Sequence, residues 1–563
     1  MNGYARFLDN TLYSKTKRLM VIIATLLALM GSILMFPTKL VKAKMLPSKS
    51  ANTFSVYVDL PAGSSIEETK KVSRCVVNIL RQEKEILNME TFLGEGAPLD
   101  YAGLTKGSTL KGMENVSEIV INLTDKHSRE EPSFIIIQRL RPIIQSTCEP
   151  LKNGTNIKMI EQPSGPPNLA SIVVEVFGPT MKKISPVAKK VAEILENTPK
   201  VVDVDVMMDE KFSKFSLEVN SDKISKSGVS VEQLNNILYL AFEGMVVAIK
   251  NPQNANDQIP IFLMLDKNTK ELNSFSKGEL ESKLSSLKLM NKMGMMVPVN
   301  EMVELKEVPN NLSIFTKDLE TMVNVIAETD MESQVYPLLD ARETMIEEFS
   351  DKFEVTKEAG INTYMFDLHL VDKESGEKYL LRWDGEMKVT LDTFRDLGAA
   401  FIGALVLIFL LLVIYYKSFA ISGIILAGSF LSIIGVIVGH WVADIVTTHT
   451  FFLTATSLIG FIALMGISSR NSLLLIDFAK SLMIEKGLEK RKAISVATAT
   501  RAKPIMLTAV AIILGSALLA GDPIFGGLGV ALISGTIAAV IVSLLFVPVL
   551  MNNSKAMDFD KAQ

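Results

Sequence analysis

Cysteine is almost missing from this chain. Cys75 and Cys148 are the only two among 563 residues, with no C-x-x-C pair and no zinc-type Cys/His spacing. There is no G-x-x-x-x-G-K-[ST] loop and no H-E-x-x-H pair, so the signatures of nucleotide hydrolysis and zinc peptidase chemistry are absent. Strong charge of one sign is missing too. The net charge is −4, which leaves no electrostatic footprint for nucleic acid. A further absence is local: the cores of the long apolar runs hold no Asp or Glu, Asp477 lying near a run's end and Asp522 in a loop.

What is present is apolar surface, and it is segregated. The mean hydropathy of +0.29 is high for a soluble enzyme. Leu19 to Phe36 is an uncharged run of 18 residues, long enough to span a bilayer. Lys39, Lys42 and Lys44 follow where a cleaved leader would carry small residues, so a retained helix is expected. Ahead of it, residues 1–18 carry Tyr4, Phe7, Leu8 and Leu12 at helical spacing beside Arg6, Lys15, Lys17 and Arg18. They read as an amphipathic helix on the membrane surface or as an irregular leader. Five further runs follow: Leu397–Tyr415, Phe419–Val442, Phe451 to about Lys480, Pro504–Ala520 and Phe525–Met551. Basic residues cluster before Leu19, at Lys417 and between Lys480 and Lys503. If six spans alternate, these share one side, which puts both termini in the cytoplasm and residues 38–395 outside.

The long segment after the first span reads as strand–helix–strand units. Phe54, Val56, Val58 and Leu60 alternate as a strand, and Ser65 with Glu68 makes a capping-box pattern. Glu118–Leu123 reads as a strand, Pro132–Cys148 as a helix and Asn156–Ile160 as a strand, together one ferredoxin-like module. A second module starts at Ser171–Phe177, with a helix over Met181–Asn197 and a strand over Val201–Met207. It resumes at Met322–Ala327 with a helix from Gln334 to Phe349. Between them sits an insertion with strands at Phe215–Val219 and Ile259–Leu265 and a helix capped by Ser230 and Gln233. The Gly-rich loop Gly94–Gly112 is expected to be mobile. Cys75 and Cys148 fall on two helices of one module. Sequence does not fix their separation, and the expectation is two free thiols.

The run from Phe451 carries Arg470 and Asn471, with Asp477 seven residues beyond Arg470 on the same face. A charge inside a bilayer costs a few kcal/mol or more, so such a residue needs a partner. The helix either ends at Ser468, leaving Arg470 as a cytoplasmic anchor, or continues through Ser472–Ile476 and holds Arg470 inside; the second is expected. Arg501 and Thr508 repeat the spacing on the next run. Arg470, Asn471, Arg501 and Thr508 would form a cationic, hydrogen-bonding cluster, unless Thr508 merely bonds its own preceding turn.

Gly466-Ile-Ser-Ser-Arg-Asn-Ser-Leu-Leu-Leu-Ile-Asp-Phe-Ala-Lys480 resembles the segment G-x-x-x-K-N-x-I-L-[LI]-[VI]-[DE]-F-A of resistance-nodulation-division (RND) efflux permeases. Arg501-Ala-Lys-Pro-Ile-Met-Leu-Thr508 resembles their R-x-R-P-I-x-M-T segment, and Phe546-Val-Pro548 and the Val56–Thr69 stretch with its LPAGSSIEET also fit. The resemblance covers essentially the whole chain and is to the C-terminal half of such a permease, closer to the multidrug branch than to the heavy-metal branch. It implies a six-span membrane helical bundle plus periplasmic α+β ferredoxin-like porter modules with an inserted docking module. The implied division is an amphipathic segment at 1–18, a transmembrane helix at 19–36 and one porter subdomain at 37–165. The second porter subdomain takes 166–208 and 319–375, and the docking subdomain 209–318. A linker helix at 376–396, five transmembrane helices at 397–551 and a cytoplasmic tail at 552–563 complete it.

The resemblance also implies a proton-driven exporter of hydrophobic or amphiphilic compounds in the bacterial inner membrane, with no cofactor and no enzymatic activity. Arg470, Asn471, Asp477, Arg501 and Thr508 stand at proton-relay positions, with Arg470 where the family has Lys. Arginine keeps its proton, so Arg470 can steer a carboxylate without relaying a proton itself. Gly94, Gly96, Tyr101 and Gly107 stand in the loop along the substrate path. Implied partners are an N-terminal half carrying a membrane Asp pair, a periplasmic adaptor and an outer-membrane channel, in a trimer. Two other readings stay open. Met207, Met208, Met290, Met293, Met295 and Met296 suit a Cu or Ag exporter, although methionine is also ordinary filler. The chain is otherwise a non-transporting scaffold or degenerate half.

Overall fold

The computed structural model describes residues 2–558, apart from 163–164, 252, 254–257, 267–271, 273–275, 331–332, 359–363 and 448–449. The end of the expected C-terminal tail, 559–563, therefore lies outside the described residues.

Residues 1–18 split differently from expectation. Helix α1 is Asn2–Tyr13, and Ser14 then caps α2, Lys15–Leu34, by accepting from the Lys17 amide. Leu8 and Leu12 on α1 are buried in one apolar cluster with Ile494 and Ala497, so the apolar stripe docks on other helices of the chain.

The first α+β module follows the order β1 (Thr53–Asp59), α3 (Ile66–Leu80), β2 (Ile86–Leu93), β3 (Val116–Leu123), α4 (Ser133–Cys148) and β4 (Asn156–Ile160). Its sheet runs β2-β3-β1-β4, antiparallel between the neighbours. Ser65 and Glu68 do form a capping box at the start of α3. Thr69, Val72, Ser73, Val76 and Leu80 recur at helical spacing and face a core with Val56, Val58, Ile119, Ile121 and Ile157. Cys75 and Cys148 are bonded, with a Cα separation of 5.7 Å, which corrects the expectation of free thiols. The physical reason is register: α3 and α4 pack side by side, so residues 73 positions apart in sequence meet at one level.

The second module repeats this order: β5 (Ile172–Phe177), α5 (Met181–Glu196), β6 (Val201–Met207), then β14 (Glu320–Thr329), a helix at Val335–Phe349 and β17 (Lys378–Asp384). Sheet order β6-β14-β5-β17 matches β2-β3-β1-β4 of the first module. Strands β15 (Phe353–Lys357) and β16 (Leu368–Asp372) extend it beyond β17, and β13 (Thr316–Lys317) pairs with β14. The expected linker helix at 376–396 is thus corrected. Lys378–Asp384 is the module's closing strand, with Tyr379, Leu381 and Trp383 alternately buried. Helix begins only at Glu386, after Gly385 at φ +74°, where a Cβ would lie 2.5 Å from the Ala170 carbonyl oxygen.

Residues Asp209–Ser313 form a separate compact unit. Strands β7 (Ser213–Val219) and β12 (Val303–Pro309) pair antiparallel, as do β8 (Met245–Lys250) with β9 (Ile259–Leu263) and β10 (Lys288–Met290) with β11 (Met296–Pro298). Ser230 and Gln233 cap the helix Val231–Phe242, and Leu234, Leu284, Val299 and Met302 fill its core.

Among the described residues, six helices are long and apolar enough to cross a membrane: Lys15–Leu34, Glu386–Tyr416, Phe419–Val446, Ala455–Lys486, Lys490–Ala520 and Gly526–Asn553. They are the first to sixth spans below. The third breaks briefly at Leu431–Ser432. The sixth carries a π-helical turn, Val542–Phe546, just before Pro548. Proline has no N–H for the helical ladder, and a wider turn ahead of it absorbs the mismatch. The third, fourth and sixth spans are the most buried, whereas the first, second and fifth expose apolar flanks such as Leu407, Ile414, Leu514 and Leu518.

Candidate functional site

The fourth span decides where Arg470 lies. It is capped at Thr454, continues unbroken through Ser468 and ends at Gly487, which takes the left-handed conformation. The reading in which the helix ends at Ser468 is excluded. Its 32 residues make roughly 48 Å of helix, more than the ~30 Å hydrocarbon thickness, with Arg470 sixteenth. Arg470 is exposed on this chain and, among the described residues, has no hydrogen bond or ion pair. Its neighbour Asn471 points inward and is buried with Ser468 and Ser472, whose hydroxyls have no partner among the described residues. Asp477 shares a helical face with Arg470 but lies roughly 10 Å along the axis, too far to pair. Its carboxylate instead accepts from the Tyr416 hydroxyl of the second span at 2.8 Å.

The fifth span starts at Lys490, not at Pro504, so Arg501 sits well inside it and Pro504 is an internal proline. Its first turns are tied down. Lys490 pairs with Asp558 at 2.8 Å, Arg491 with Asp9 at 3.0 Å, and Ser495 donates to the Ala5 carbonyl. The Arg501 guanidinium lies 4.9 Å from the Phe478 ring centre of the fourth span, and its Nε is buried with no acceptor among the described residues. Thr508 donates to the Ile505 and Pro504 carbonyls of its own helix at 2.9 and 3.2 Å. The plainer alternative for Thr508 is therefore what the geometry gives.

The fourth and fifth spans run antiparallel, and the Phe478–Arg501 contact fixes their register. From that level Arg470 is eight residues back and Thr508 seven forward, so both lie about 10–12 Å further along at similar depth. No hydrogen bond or ion pair among the described residues joins any two of Arg470, Asn471, Asp477, Arg501 and Thr508. The expected cluster shares a depth without closing into one network.

The loop after β2 is held rather than loose. Gly94 and Gly107 adopt φ of +74° and +87°, and a Cβ on Gly96 would sit 2.3 Å from the Ser108 carbonyl oxygen. Buried Glu118 of β3 accepts from the Ala97 amide at 3.0 Å, the Ser108 hydroxyl at 2.6 Å and the Ser55 hydroxyl at 3.1 Å. The Tyr101 hydroxyl donates to the Gly165 carbonyl at 2.8 Å, Gln162 donates to Asp100 at 2.6 Å, and Lys106 pairs with Glu328 of β14. The expected mobile loop is therefore pinned at several points to both modules. A cavity of about 90 Å³ opens beside it, lined by Lys44, Lys106, Arg141, Glu161, Gln162 and Glu328 among others. Burial pushes the Glu161 carboxyl up, whereas Glu328 is held down because Lys106 and Ser171 outweigh its burial.

Sequence reading passed over the charges at this junction. Arg141 pairs with Asp203 at 3.3 Å, and Lys158 bridges Asp59 at 2.7 Å and Asp205. Their signal was a charge alternating with apolar residues inside a strand, as in Val201-Val-Asp-Val-Asp-Val206. Among the described residues, no group of three or more His, Cys, Asp or Glu is arranged to hold a metal.

Comparison with known proteins gives this arrangement a family. The model of the AcrB/AcrD/AcrF family matches residues 1–361 and 369–552. The chain is 24% identical to the swarming motility protein SwrC of Bacillus subtilis (strain 168), over 94% of this chain and 45% of that protein. It is 23% identical to the multidrug export protein AcrF of Escherichia coli (strain K12), over 98% of this chain and 48% of that protein. Two crystal forms of a heavy metal efflux pump share its fold, with TM-scores of 0.71 and 0.67 at 17% and 16% identity, covering 98% and 97% of this chain and 51% of each pump chain. The chain spans about half the length of the curated relatives it matches. With nearly all of its residues matched by the family model, this chain belongs to the AcrB/AcrD/AcrF family of RND permeases.

Proposed function

We propose that this chain is the C-terminal half of a proton-driven RND efflux pump that exports hydrophobic or amphiphilic compounds. It works with the complementary six-span half, which carries the acidic pair. The observation that carries the reading is Arg470: a permanent cation in the body of the fourth span, exposed on this chain and without a counter-charge among its described residues. Membrane cations persist where a carboxylate meets them, and a movable cation beside a buried acidic pair switches that pair between binding and releasing protons. The printed name of the relative AcrF, a multidrug export protein, supports the substrate class. Residues 37–165, and 166–208 with 319–375, act as porter subdomains. Residues 209–318 dock towards an outer-membrane channel through an adaptor, and the assembly is a trimer. Both termini are cytoplasmic in the inner membrane.

The test is copurification followed by transport. Tagged chain should bring down a six-span protein with acidic residues in one span, and cells expressing both should clear a fluorescent dye in a manner abolished by a protonophore. A homomer that takes no such partner would support the scaffold reading. A cysteine placed at Lys490 should resist an impermeant thiol reagent in intact cells; labelling there would reverse the topology.

A second reading has an observation of its own. Met290 and Met296 are cross-strand partners in β10–β11, and Met293 and Met295 sit at the turn, all four exposed. Soft thioethers suit Cu(I) or Ag(I). Silver tolerance conferred without dye efflux would favour it.

A further inference from the structure

The third span carries a histidine that no role above uses. His440 lies six residues before the helix ends at Val446, roughly 9 Å inside it, and is fully buried. Its Nδ1 is 2.7 Å from the Val436 carbonyl, an acceptor only, so Nδ1 carries the proton. Nε2 is then free to accept, and the Ser457 hydroxyl of the fourth span lies 2.8 Å from it. From Ser457 the contacts continue to the Thr454 hydroxyl at 3.1 Å and then to Thr456 at 2.8 Å. Thr456 donates to the Ile524 carbonyl, in the loop joining the fifth and sixth spans, at 3.2 Å. The start of the fourth span is on the side of the α+β modules, since Leu453 exchanges backbone hydrogen bonds with Lys42 and Lys44.

The neighbours seal this line without adding charge. A Cβ on Gly527 would lie 2.4 Å from Ser457 Oγ and 2.5 Å from Thr454 Oγ1, and one on Gly439 would lie 2.1 Å from Ser534 Oγ. These glycines let the sixth span close over the hydroxyls and the histidine's helix. The fourth span from Ala455 to Ser469, the sixth from Gly526 to Ile541 and the first from Leu19 contain no ionisable residue. On the third span Asp444 is one turn on, and its carboxylate accepts from the Phe451 amide. Arg395 of the second span pairs with Asp392 and Asp396, and Lys44 lies over the Phe452 ring. The Phe451 ring is 5.7 Å from the imidazole.

We propose that His440 is a proton-binding site inside the span bundle, loaded from the side of the α+β modules through Thr456, Thr454 and Ser457. The step balances as a relay. Thr456 turns its hydroxyl from the Ile524 carbonyl to Thr454 and takes a proton from hydronium at the module side, which leaves as water. Each hydroxyl passes its own proton inward and receives one from behind, and Ser457 delivers to Nε2, leaving an imidazolium. The inference rests on the reading of the chain as part of a proton-driven pump, where it adds a second proton site remote from Arg470. A plain interhelical clamp would hold the same bonds without exchanging protons.

The experiment reads the imidazole itself, in the full chain in lipid nanodiscs, so it does not depend on transport. The sequence has four histidines. The variant His127→Gln/His369→Gln/His449→Gln leaves His440 alone for nitrogen-15 NMR, and His440→Gln in the native chain gives the same assignment by difference. The expected result is an Nδ1–H imidazole at about pH 8 that becomes imidazolium on acidification towards about pH 5. Thr456→Val should leave the tautomer unchanged and slow exchange with deuterated water on the order of a hundredfold, the scale of positioned proton transfer. Ser457→Ala should slow it as well. An imidazole that stays neutral over the whole range, or a Thr456→Val variant that exchanges as fast as its parent, overturns the proposal. A chain that titrates as expected while cells show no protonophore-sensitive efflux refutes the pump reading and leaves the proton site standing.

Discussion

In the α+β modules, buried charge is answered within the chain. Lys158 sits between Asp59 and Asp205, Arg141 beside Asp203, Lys106 against Glu328, and Lys317 between Glu175 and Asp384. In the bodies of the fourth and fifth spans the pattern reverses. Arg470 is exposed with no counter-charge among the described residues, Arg501 rests on a ring, and Asp477 is held by a tyrosine hydroxyl. An uncompensated charge in either setting costs several kcal/mol, so the modules are electrostatically closed and the spans are open. Under the proposed function, the complementary half brings negative charge to the face of the fourth span at the depth of Arg470 and Thr508.

The largest effect that could break this comparison is on transport. In cells expressing both halves, Arg470→Ala should abolish dye efflux at unchanged membrane levels. Arg470→Lys should retain part of it, because the charge survives while the planar fork is lost. Full efflux by Arg470→Ala would make the residue a bystander and close the spans electrostatically after all. A module substitution should do the opposite, acting on stability. Lys158→Met leaves Asp205 without its cation and Asp59 with Lys111 alone, and should lower the unfolding free energy by about 3–5 kcal/mol, read from thermal unfolding in detergent. Adding Asp59→Asn and Asp205→Asn should recover much of it.

The disulfide is a covalent counterpart of those pairs. Replacing Cys75 and Cys148 by serine should cost about 2–4 kcal/mol in the same assay, for a bridge spanning 73 positions. No loss would mean that α3 and α4 are held by packing alone.

What the sequence made legible follows from the strength of each signal. Apolar length is a strong one, and all six spans are where hydropathy puts them, although the fifth begins at Lys490 because Lys490–Lys503 is helical despite its charges. Capping boxes at Ser65 and Ser230 were readable because serine and a Glu or Gln three residues on act locally. Strand β2 was not, since no residue of Ile86-Leu-Asn-Met-Glu-Thr-Phe-Leu93 is fully buried and the stretch carries no clean alternation. Strand β17 did alternate, yet the resemblance implied a linker helix over 376–396, and only pairing with β5 and β16 decides it. The disulfide depended on the register of two helices, and the fate of Asp477 on Tyr416 arriving from another span. Neither is written in local spacing.

The smallest effect sharpens the comparison by pH. Burial pushes the Asp59 carboxyl up, but Lys158 and Lys111, at 2.7 and 2.6 Å, outweigh it and hold it at about 2, against an ordinary value of 3.8. The folded state therefore binds fewer protons at this site than the unfolded chain between about pH 4 and pH 2. Stability from Asp59 is complete above that window and is lost as pH falls through it, by about 2 kcal/mol at most. Asp203 and Glu161 work in the other direction, because burial raises both and they take up protons more readily when folded. The net acid limb mixes these signs, so the informative quantity is a difference. Stability of the parent minus that of Asp59→Asn should be constant from neutral pH to about pH 4 and shrink below it. Arg470→Ala, whose cation meets no carboxylate among the described residues, should leave that limb unmoved. A parallel change in the Arg470 variant would mean that the span cation does feel an acid of its own chain.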